Sequence, residues 1–218
     1  MDSDPAGMRR EYQGRAGVAP LTEESLADTW LEQFRRWFAA AVAAEAIIEP
    51  NAMVVATSTP AGRPSARTVL LKGVDERGFV FFTNYGSRKG SEIAANPFAS
   101  LVLPWHPIGR QVIVCGAVEQ VERAETESYF ATRPRESQLG AWASAQSSVV
   151  TREQLDAAVD AVAARYPDGM PVPAPPGWGG LLVRPETVEF WQGRPGRLHD
   201  RLRYRNDGGT WLVERLAP

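Results

Sequence analysis

The segment Arg67-Thr-Val-Leu-Leu-Lys-Gly-Val-Asp-Glu-Arg-Gly-Phe-Val-Phe-Phe-Thr83 decides the fold class, because it contains two strand-like runs joined by a short turn. Valine, leucine, phenylalanine and threonine dominate both runs, and Asp75–Gly78 supplies turn-forming residues between them. Comparable runs occur on both sides of this segment. The predicted strands are therefore Ala52–Thr59, Ala66–Val74, Phe79–Thr83, Ala99–Trp105 and Gln111–Val121. Successive strands with hairpin-length connections favour a mainly β fold, an antiparallel sheet or small barrel, over a parallel α/β fold.

Helical segments flank these strands. An amphipathic pattern predicts a long helix over Thr22–Ile47, and N-capping or proline signals predict four shorter ones, over Ser87–Asn96, Ala124–Thr132, Pro134–Ala145 and Thr151–Tyr166. Three final strands are predicted at Gly180–Arg184, Thr187–Gln192 and Trp211–Leu216. We expect residues 1–20 to form a flexible N-terminal arm and residues 21–218 to form a single domain.

Composition excludes several classes of function. The 218 residues carry a formal net charge of −2, which argues against non-specific nucleic-acid binding. Two histidines and one cysteine make a poor metal set, so no metal is expected, and Cys115 is expected to be a small buried residue. Neither a signal peptide nor a membrane span is evident, which predicts a cytoplasmic protein.

Two segments could bind phosphate groups. Arg67–Lys72 is predicted to be a strand with a cation at each end, and the two cations point to opposite faces because side chains alternate along a strand. Such a strand could bind two anionic groups, but from this segment alone an ordinary strand with solvated ends is the favoured interpretation. Thr83-Asn-Tyr-Gly-Ser-Arg-Lys-Gly90 ends a strand and opens a helix with Arg88 and Lys89 in its first turn. Cations there oppose the helix dipole unless an anion binds, so this segment predicts a phosphate site. Lys72 and Lys89 are the only lysines in the sequence.

Two further segments are candidates for substrate binding. Tyr129 and Arg133 share a helical face, and with Ser137 they suit a second phosphate, although a surface helix corner explains them equally well. Arg197, His199 and Arg201 alternate, so in an extended chain they would face one side together, close to the aromatic Trp191. From these residues we predict a β-barrel that binds aromatic, phosphorylated ligands. Because these side chains alone offer little chemistry, a redox cofactor is expected as well.

In sequence, the chain resembles the pyridoxine/pyridoxamine 5′-phosphate oxidases. The most specific match is Val188-Glu-Phe-Trp-Gln-x4-Arg-Leu-His-Asp-Arg201. Further blocks agree in the same order, namely Arg67–Lys72, Tyr85–Lys89, Pro104–His106, Arg133–Ser137, Gly140–Trp142, Gln146–Ser147 and Trp178–Gly180. The resemblance implies a split β-barrel of antiparallel Greek-key type, a homodimer with FMN at the subunit interface.

The resemblance also implies roles for individual residues. The FMN site would use Arg67, Thr68, Val69, Leu70, Leu71, Lys72, Phe82, Thr83, Arg88, Lys89, Gln111, Gln146, Ser147, Trp191 and Arg201, partly from the other subunit. The substrate phosphate would contact Lys72, Tyr129, Arg133 and Ser137. Arg197 and His199 would be the catalytic residues, over the substrate ring and opposite the flavin, while Arg9 and Tyr12 would contact substrate from a lid.

The implied reaction oxidises pyridoxine or pyridoxamine 5′-phosphate to pyridoxal 5′-phosphate by hydride transfer from C4′ to flavin N5. Dioxygen would then reoxidise the flavin and yield hydrogen peroxide. One alternative is another split-barrel flavoprotein, a flavin or deazaflavin reductase, which would lack the Tyr129, Arg133 and Ser137 set. A second is a non-catalytic protein that stores FMN or pyridoxal phosphate. An interaction or nucleic-acid module is the least favoured.

Overall fold

The computed structural model describes residues 19–218. Within that range the helices are α1 (Trp30–Val42), α2 (Arg88–Ala95), α3 (Arg123–Ala131), α4 (Arg135–Ala143) and α5 (Arg152–Arg165). The strands are β1 (Ala52–Ser58), β2 (Pro64–Leu70), β3 (Gly73–Asp75), β4 (Gly78–Asn84), β5 (Phe98–Trp105), β6 (Arg110–Gln120), β7 (Trp178–Gln192), β8 (Asp200–Asp207) and β9 (Thr210–Arg215). The fold is therefore mainly β with flanking helices, as predicted.

The strands pair in the order β2-β1-β5-β6-β7-β4-β3, and β8 joins β7 while β9 joins β8. The pairings of β3 with β4, β4 with β7, β7 with β8 and β8 with β9 are all antiparallel. The β8–β9 hairpin closes through Gly208 and Gly209, which both have positive φ, as a two-residue turn between right-twisted strands requires. These pairings confirm the antiparallel sheet predicted from the hairpin-length connections.

The chain divides into two compact units. The first unit contains the described residues up to Val54 together with Ser100–Cys115 and Pro185–Pro218, and the second contains Val55–Ala99 and Gly116–Arg184. Strands β1, β5, β6 and β7 contribute residues to both units.

Each unit has an aromatic core. In the first unit, the buried Phe34 and Trp37 of α1 contact Trp105 and Phe190, at ring-centroid distances of 6.1 and 5.2 Å. In the second unit, Phe130, Tyr166, Val172, Ala174 and Trp178 form the buried cluster. Burying such rings supplies most of the favourable free energy of packing in a fold of this size.

Local signals explain where the helices begin and end. Ser87 and Thr151 cap α2 and α5 as predicted, each accepting a hydrogen bond from the backbone of the third helical residue. The first helix is shorter than the predicted Thr22–Ile47: Thr29 caps α1, and Glu23–Ser25 forms a separate 3₁₀ turn. No helix within residues 19–218 combines the length and apolarity needed to cross a membrane.

The structure corrects three strand predictions. The predicted strand Ala66–Val74 is interrupted at Leu71 and Lys72, between β2 and β3. The predicted pair Gly180–Arg184 and Thr187–Gln192 is one strand, β7, in which Pro185 lies between the residues paired with β4 and those paired with β8. The segment between the last two predicted strands contains a further strand, β8, which the sequence pattern did not predict.

Cys115 is exposed, so its prediction as a small buried residue is wrong. Its neighbours Val112 and Val114 on β6 are fully buried. Alternation along the strand places Cys115 on the opposite face, where its thiol lies 3.5 Å from the Ser100 hydroxyl.

Candidate active site

A cavity of about 790 Å³ lies within the second unit. Strand β2, the end of β4, the start of α2 and the helices α3 and α4 all contribute side chains to it. The lining consists of Ala66, Arg67, Thr68, Val69, Leu70, Lys72, Phe82, Thr83, Asn84, Arg88, Lys89, Tyr129, Arg133, Ser137, Gly140, Ala141, Ser144, Gln146, Ser147 and Trp178. The structure thus brings together most of the residues predicted for cofactor and substrate phosphate.

One part of this lining is a cationic cradle. Lys89 is buried, and its Nζ donates hydrogen bonds to Thr83 Oγ1 and Gln146 Oε1, both at 2.9 Å, and to Ser87 Oγ at 3.3 Å. These acceptors are neutral, so the charge of the ammonium is not offset by any of them. Burial, and next the charge of Arg67, lower the pKa of Lys89 to about 8. An anion in the cavity would offset the free-energy cost of burying this charge.

The N-terminus of α2 adds backbone donors to the cradle. The Arg88 backbone N–H donates to Ser147 Oγ at 3.2 Å, and Ser147 holds a positive φ of 77° to bring its hydroxyl there. A glycine is required at position 90, since a Cβ there would lie 2.2 Å from the carbonyl oxygen of Tyr85. This close approach lets the chain turn directly from β4 into the helix, with Arg88 and Lys89 facing the cavity.

Aromatic rings and an arginine form another part of the lining. Phe82 stacks on Tyr129 with ring centroids 4.0 Å apart, and on Trp178 at 5.4 Å. The Arg133 guanidinium lies 4.6 Å from the centre of the Trp178 ring. Its Nη1 is buried and has no hydrogen-bond partner within residues 19–218, and burial lowers its pKa. A buried cation without a hydrogen-bond partner at one atom suits an anionic ligand.

The cavity fits FMN and a phosphorylated aromatic substrate. The cradle supplies cations and hydroxyls for a ribityl phosphate, and the orphaned Arg133 nitrogen supplies a second anion-binding group near stacked rings. Strand β7 leaves room for the rings because it carries glycines at this point. A Cβ at Gly180 would lie 2.6 Å from the Val121 side chain and 3.0 Å from Phe82.

Comparison with known proteins identifies the family. The family model of pyridoxamine 5′-phosphate oxidase matches residues 39–192, and that of the pyridoxine 5′-phosphate oxidase C-terminal dimerisation region matches residues 178–218. The chain belongs to the pyridoxamine 5′-phosphate oxidase family. A pyridoxine/pyridoxamine 5′-phosphate oxidase of Salinispora arenicola is 62% identical over 98% of this chain and 96% of its own, and one of Frankia alni is 60% identical over 99% and 89%.

Solved structures agree with this assignment to the pyridoxamine 5′-phosphate oxidase family. PhzG from Burkholderia lata, in complex with tetrahydrophenazine-1-carboxylic acid, has a TM-score of 0.84 and 33% identity, covering 92% of this chain and 99% of that one. A pyridoxamine 5′-phosphate oxidase-related, FMN binding protein from Nostoc punctiforme has a TM-score of 0.69 at 20% identity and shares the fold. The predicted split β-barrel fold and the predicted family are confirmed.

The remaining predicted cofactor residues of this family member lie elsewhere. Leu71 is buried and does not line the described cavity. Gln111, Trp191 and Arg201 belong to the first unit. There the Arg201 guanidinium donates to both carboxylate oxygens of Glu189, at 2.7 and 3.0 Å, and this ion pair raises its pKa. Arg201 is therefore fixed in orientation by Glu189.

Arg197 and His199 also belong to the first unit, in the segment between β7 and β8. The expectation that both face one side of an extended chain with Arg201 is wrong, because Pro195–Arg197 forms a 3₁₀ turn in which Arg197 has a φ of 63°. The His199 ring lies 4.7 Å from that of Trp191, and its Nδ1 accepts a hydrogen bond from the Arg194 backbone N–H. Burial, then the charge of Arg197, lower the pKa of His199.

Two predicted residues, Arg9 and Tyr12, lie outside the described residues. Sequence reasoning assigns no role to Trp178, yet this residue lines the cavity, with the Arg133 guanidinium over its ring. The signal that could have found it is the glycine pair that follows it, since consecutive glycines in a buried strand indicate close approach by other side chains.

Proposed function

We infer that this chain oxidises pyridoxine 5′-phosphate or pyridoxamine 5′-phosphate to pyridoxal 5′-phosphate with the help of FMN. The observation that carries this inference is a single cavity with two separate groups of anion-binding side chains. One surrounds Lys89, and the other is built from Arg133 and the aromatic rings next to it. Two phosphorylated aromatic molecules, a flavin and its substrate, need both groups.

The cradle residues would hold FMN. Arg67, Arg88 and Lys89 offer charge to its phosphate, and Gln146 and Ser147 already bond to this cradle through Lys89 and the Arg88 backbone. Bound FMN supplies a two-electron acceptor, which the protein side chains lack. The aromatic Phe82 and the apolar residues of β2 give the cavity walls that a flat ring system can contact.

The substrate phosphate would be held by Lys72, Tyr129, Arg133 and Ser137, which line the same cavity. Fixing the phosphate orients the remainder of the substrate, so the carbon to be oxidised is held in one position relative to the flavin. Orientation of this kind lowers the activation free energy without any covalent step by the protein.

We assign Arg197 and His199 to positioning the substrate ring and handling its proton. The Arg194 N–H donates to His199 Nδ1, which places the hydrogen of the neutral imidazole on Nε2. The lowered pKa of His199 keeps this neutral form dominant at neutral pH. The His199 imidazole would therefore accept a proton only at a lower pH or after the Nδ1 contact is lost. For this reason we assign neither Arg197 nor His199 as the sole base.

We further propose a homodimer in which FMN lies at the subunit interface, dioxygen as the electron acceptor, and hydrogen peroxide as the second product. The match of residues 178–218 to a dimerisation region supports the dimer. Because Trp191, Arg197, His199 and Arg201 all lie in this matched region, the partner subunit is the proposed source of these groups. The reaction is proposed to take place in the cytoplasm, and cell fractionation tests that location.

The first test uses the purified full chain. Its visible spectrum is recorded, pyridoxine 5′-phosphate is added under air, and pyridoxal phosphate and peroxide are followed. Flavin bands with turnover are the expected result. Flavin bands without turnover would favour a reductase or a storage protein, and a colourless protein that takes up no added FMN would refute the proposal.

A further inference from the structure

We propose that Glu92 is a positioning residue that fixes the geometry of the FMN phosphate cradle from behind. This inference rests on the proposed function, because it concerns how the same cavity binds FMN. Glu92 is a carboxylate beside a cavity whose charged lining residues are all cations. The sequence alone indicates no role for this residue.

Glu92 connects two elements of the cradle. Its side chain is buried, and Oε2 accepts hydrogen bonds from Thr57 Oγ1 and Ser65 Oγ, both at 2.5 Å. These two hydroxyls in turn accept hydrogen bonds from the Arg67 guanidinium, which also lies 3.5 Å from Oε2. The carboxylate therefore fixes Arg67 through two hydroxyl relays from β1 and β2.

The other oxygen of Glu92 serves Arg88. Arg88 Nε donates to Oε1 at 2.9 Å across one turn of α2. Arg67 and Arg88 line the described cavity, whereas Glu92 does not. One carboxylate thus holds two guanidinium groups in place while their remaining N–H groups stay available to a ligand.

The charge of Glu92 is matched to this task. Hydrogen bonds from Ser65 and Thr57, and then from Arg88, lower the pKa of Glu92 to about 2, so it is ionised throughout the neutral range. Arg67, Lys72, Arg88 and Lys89 all line one cavity, and cations at such distances repel one another. A buried anion behind them offsets this repulsion before any ligand arrives.

Two explanations of Glu92 predict opposite results. If its charge alone mattered, removing the charge would make the cavity more positive, and FMN would bind more tightly. If it positions Arg67 and Arg88, removing the charge releases both guanidinium groups, and FMN binds more weakly. Riboflavin distinguishes these effects further, because it carries the same ring without the phosphate.

The test compares Glu92→Gln and Glu92→Asp with Glu119→Gln as the matched control. Glu119 lies in the same unit and pairs with Arg184 at 2.6 Å on the surface, so its substitution removes one ion pair of similar geometry outside the cradle. Dissociation constants for FMN and for riboflavin are measured by flavin fluorescence with the full chain after flavin removal. Circular dichroism melting checks the fold of every variant.

We expect Glu92→Gln to weaken FMN by about tenfold or more, since charged hydrogen bonds of this kind contribute at least that factor. The riboflavin affinity of Glu92→Gln, and the FMN affinity of Glu119→Gln, should stay within about twofold of wild type. Glu92→Asp should weaken FMN as well, because the shorter side chain keeps the charge but cannot reach both sets of partners. Unchanged or tighter FMN binding, or an equal loss of FMN and riboflavin, would overturn the inference.

Two further results keep the outcomes separate. If Glu92→Gln does not fold, Ser65→Ala removes one relay and leaves the carboxylate, and it should still weaken FMN more than riboflavin. A wild-type chain that binds FMN in preference to riboflavin but oxidises no substrate would refute the oxidase and leave the role of Glu92 standing. A wild-type chain that binds no FMN would overturn both.

Discussion

The cradle around Lys89 and the turn that carries Arg197 are built in different ways. In the cradle, side-chain hydrogen bonds join Lys89, Thr83 and Gln146, and Lys89 is buried. The Ser147 hydroxyl accepts a hydrogen bond from the Arg88 backbone N–H. The Pro195–Arg197 turn instead carries Arg197 at a positive φ, and the neighbouring Leu198 side chain is 75% exposed. A binding site for a fixed anion thus gains from rigid, buried donors, whereas the candidate catalytic residue Arg197 lies on an exposed turn.

The two regions suit two different functions, cofactor binding and substrate turnover. Buried donors held by hydrogen bonds lose little entropy when a ligand arrives, which favours tight and durable binding of a cofactor. An exposed turn has a low cost of local rearrangement, which suits groups that must admit a substrate and release a product. Substitutions in the two regions should consequently affect different measured constants.

The largest expected effect comes from the turn. Arg197→Ala should retain yellow, FMN-bound protein but lose turnover by about 100-fold or more, as loss of a positioned charged donor does in other active sites. Arg197→Gly should behave in the same way, and because glycine tolerates positive φ it removes the side chain without adding backbone strain. The visible spectrum and the rate of pyridoxal phosphate formation measure both. Loss of flavin with normal residual activity would contradict the assigned role.

The next effect concerns the substrate end of the cavity. Arg133→Leu should raise the KM for pyridoxine 5′-phosphate by about 10- to 100-fold, because one charged hydrogen-bonding group to the phosphate is lost. FMN affinity should change little. Arg152→Leu is the control, since Arg152 is largely exposed on α5 and pairs only with Asp156 among the described ion pairs. A KM unaffected by Arg133→Leu would remove this residue from the substrate site.

A smaller effect should appear in the pH dependence of FMN binding. In the flavin-free chain, Lys89 has its pKa lowered to about 8, so it loses its proton as the pH rises through that value. A phosphate favours the protonated form, and binding therefore takes up a proton above about pH 8. FMN affinity should fall by about tenfold between about pH 7.5 and about pH 9.5.

Lys89→Arg provides the comparison for that titration, because a guanidinium stays charged over this range. Its FMN affinity should be weaker overall but much less dependent on pH. A wild-type affinity that stays constant up to pH 9.5, measured by fluorescence titration, would show that the Lys89 ammonium does not titrate in this range.

The smallest effect concerns His199. The charge of Arg197 contributes to lowering the pKa of this imidazole, so Arg197→Gly should raise it, and the histidine should protonate at a higher pH than in wild type. NMR titration of the imidazole signals measures this directly. The chain has two histidines, so the same titration in a His106→Gln background leaves the His199 signal alone. An unchanged titration would mean that the two side chains do not interact.

Local signals carried the sequence prediction furthest. Ser87 and Thr151 cap their helices through contacts within three residues, which a sequence pattern can capture. The part of the cradle between Thr83 and Lys89 was predictable for the same reason, because it is one continuous segment. Gln146 and Ser147 are remote in sequence, and only the family resemblance placed them there. The interruption at Leu71 and Lys72, in contrast, lies where the chain changes its pairing partner, from β1 along β2 to β4 along β3.

Local signals that the prediction disregarded, and tertiary packing, account for what the sequence prediction missed. The predicted first helix begins too early, because the amphipathic pattern extends to the N-terminal side of Thr29. In the structure, hydrogen bonds between Thr22 and Ser25 fix that part of the chain in a different conformation. Trp178 became part of the candidate site only because Arg133 and Phe82 pack on its ring. Arg197 is not extended because Pro195 and Gly196 form a turn, and the prediction from alternating residues did not take these two turn-forming residues into account.

The placement of the lysines has a consequence for the chemistry of the product. Both ε-amines of the chain, those of Lys72 and Lys89, line the cavity, and all other basic side chains except the two histidines are arginines. Pyridoxal phosphate is an aldehyde that condenses with free amines, whereas guanidinium groups resist this condensation. An enzyme that releases such an aldehyde thus exposes few lysine amines to modification by its own product, and a borohydride-trapped adduct on a lysine would report on the cavity alone.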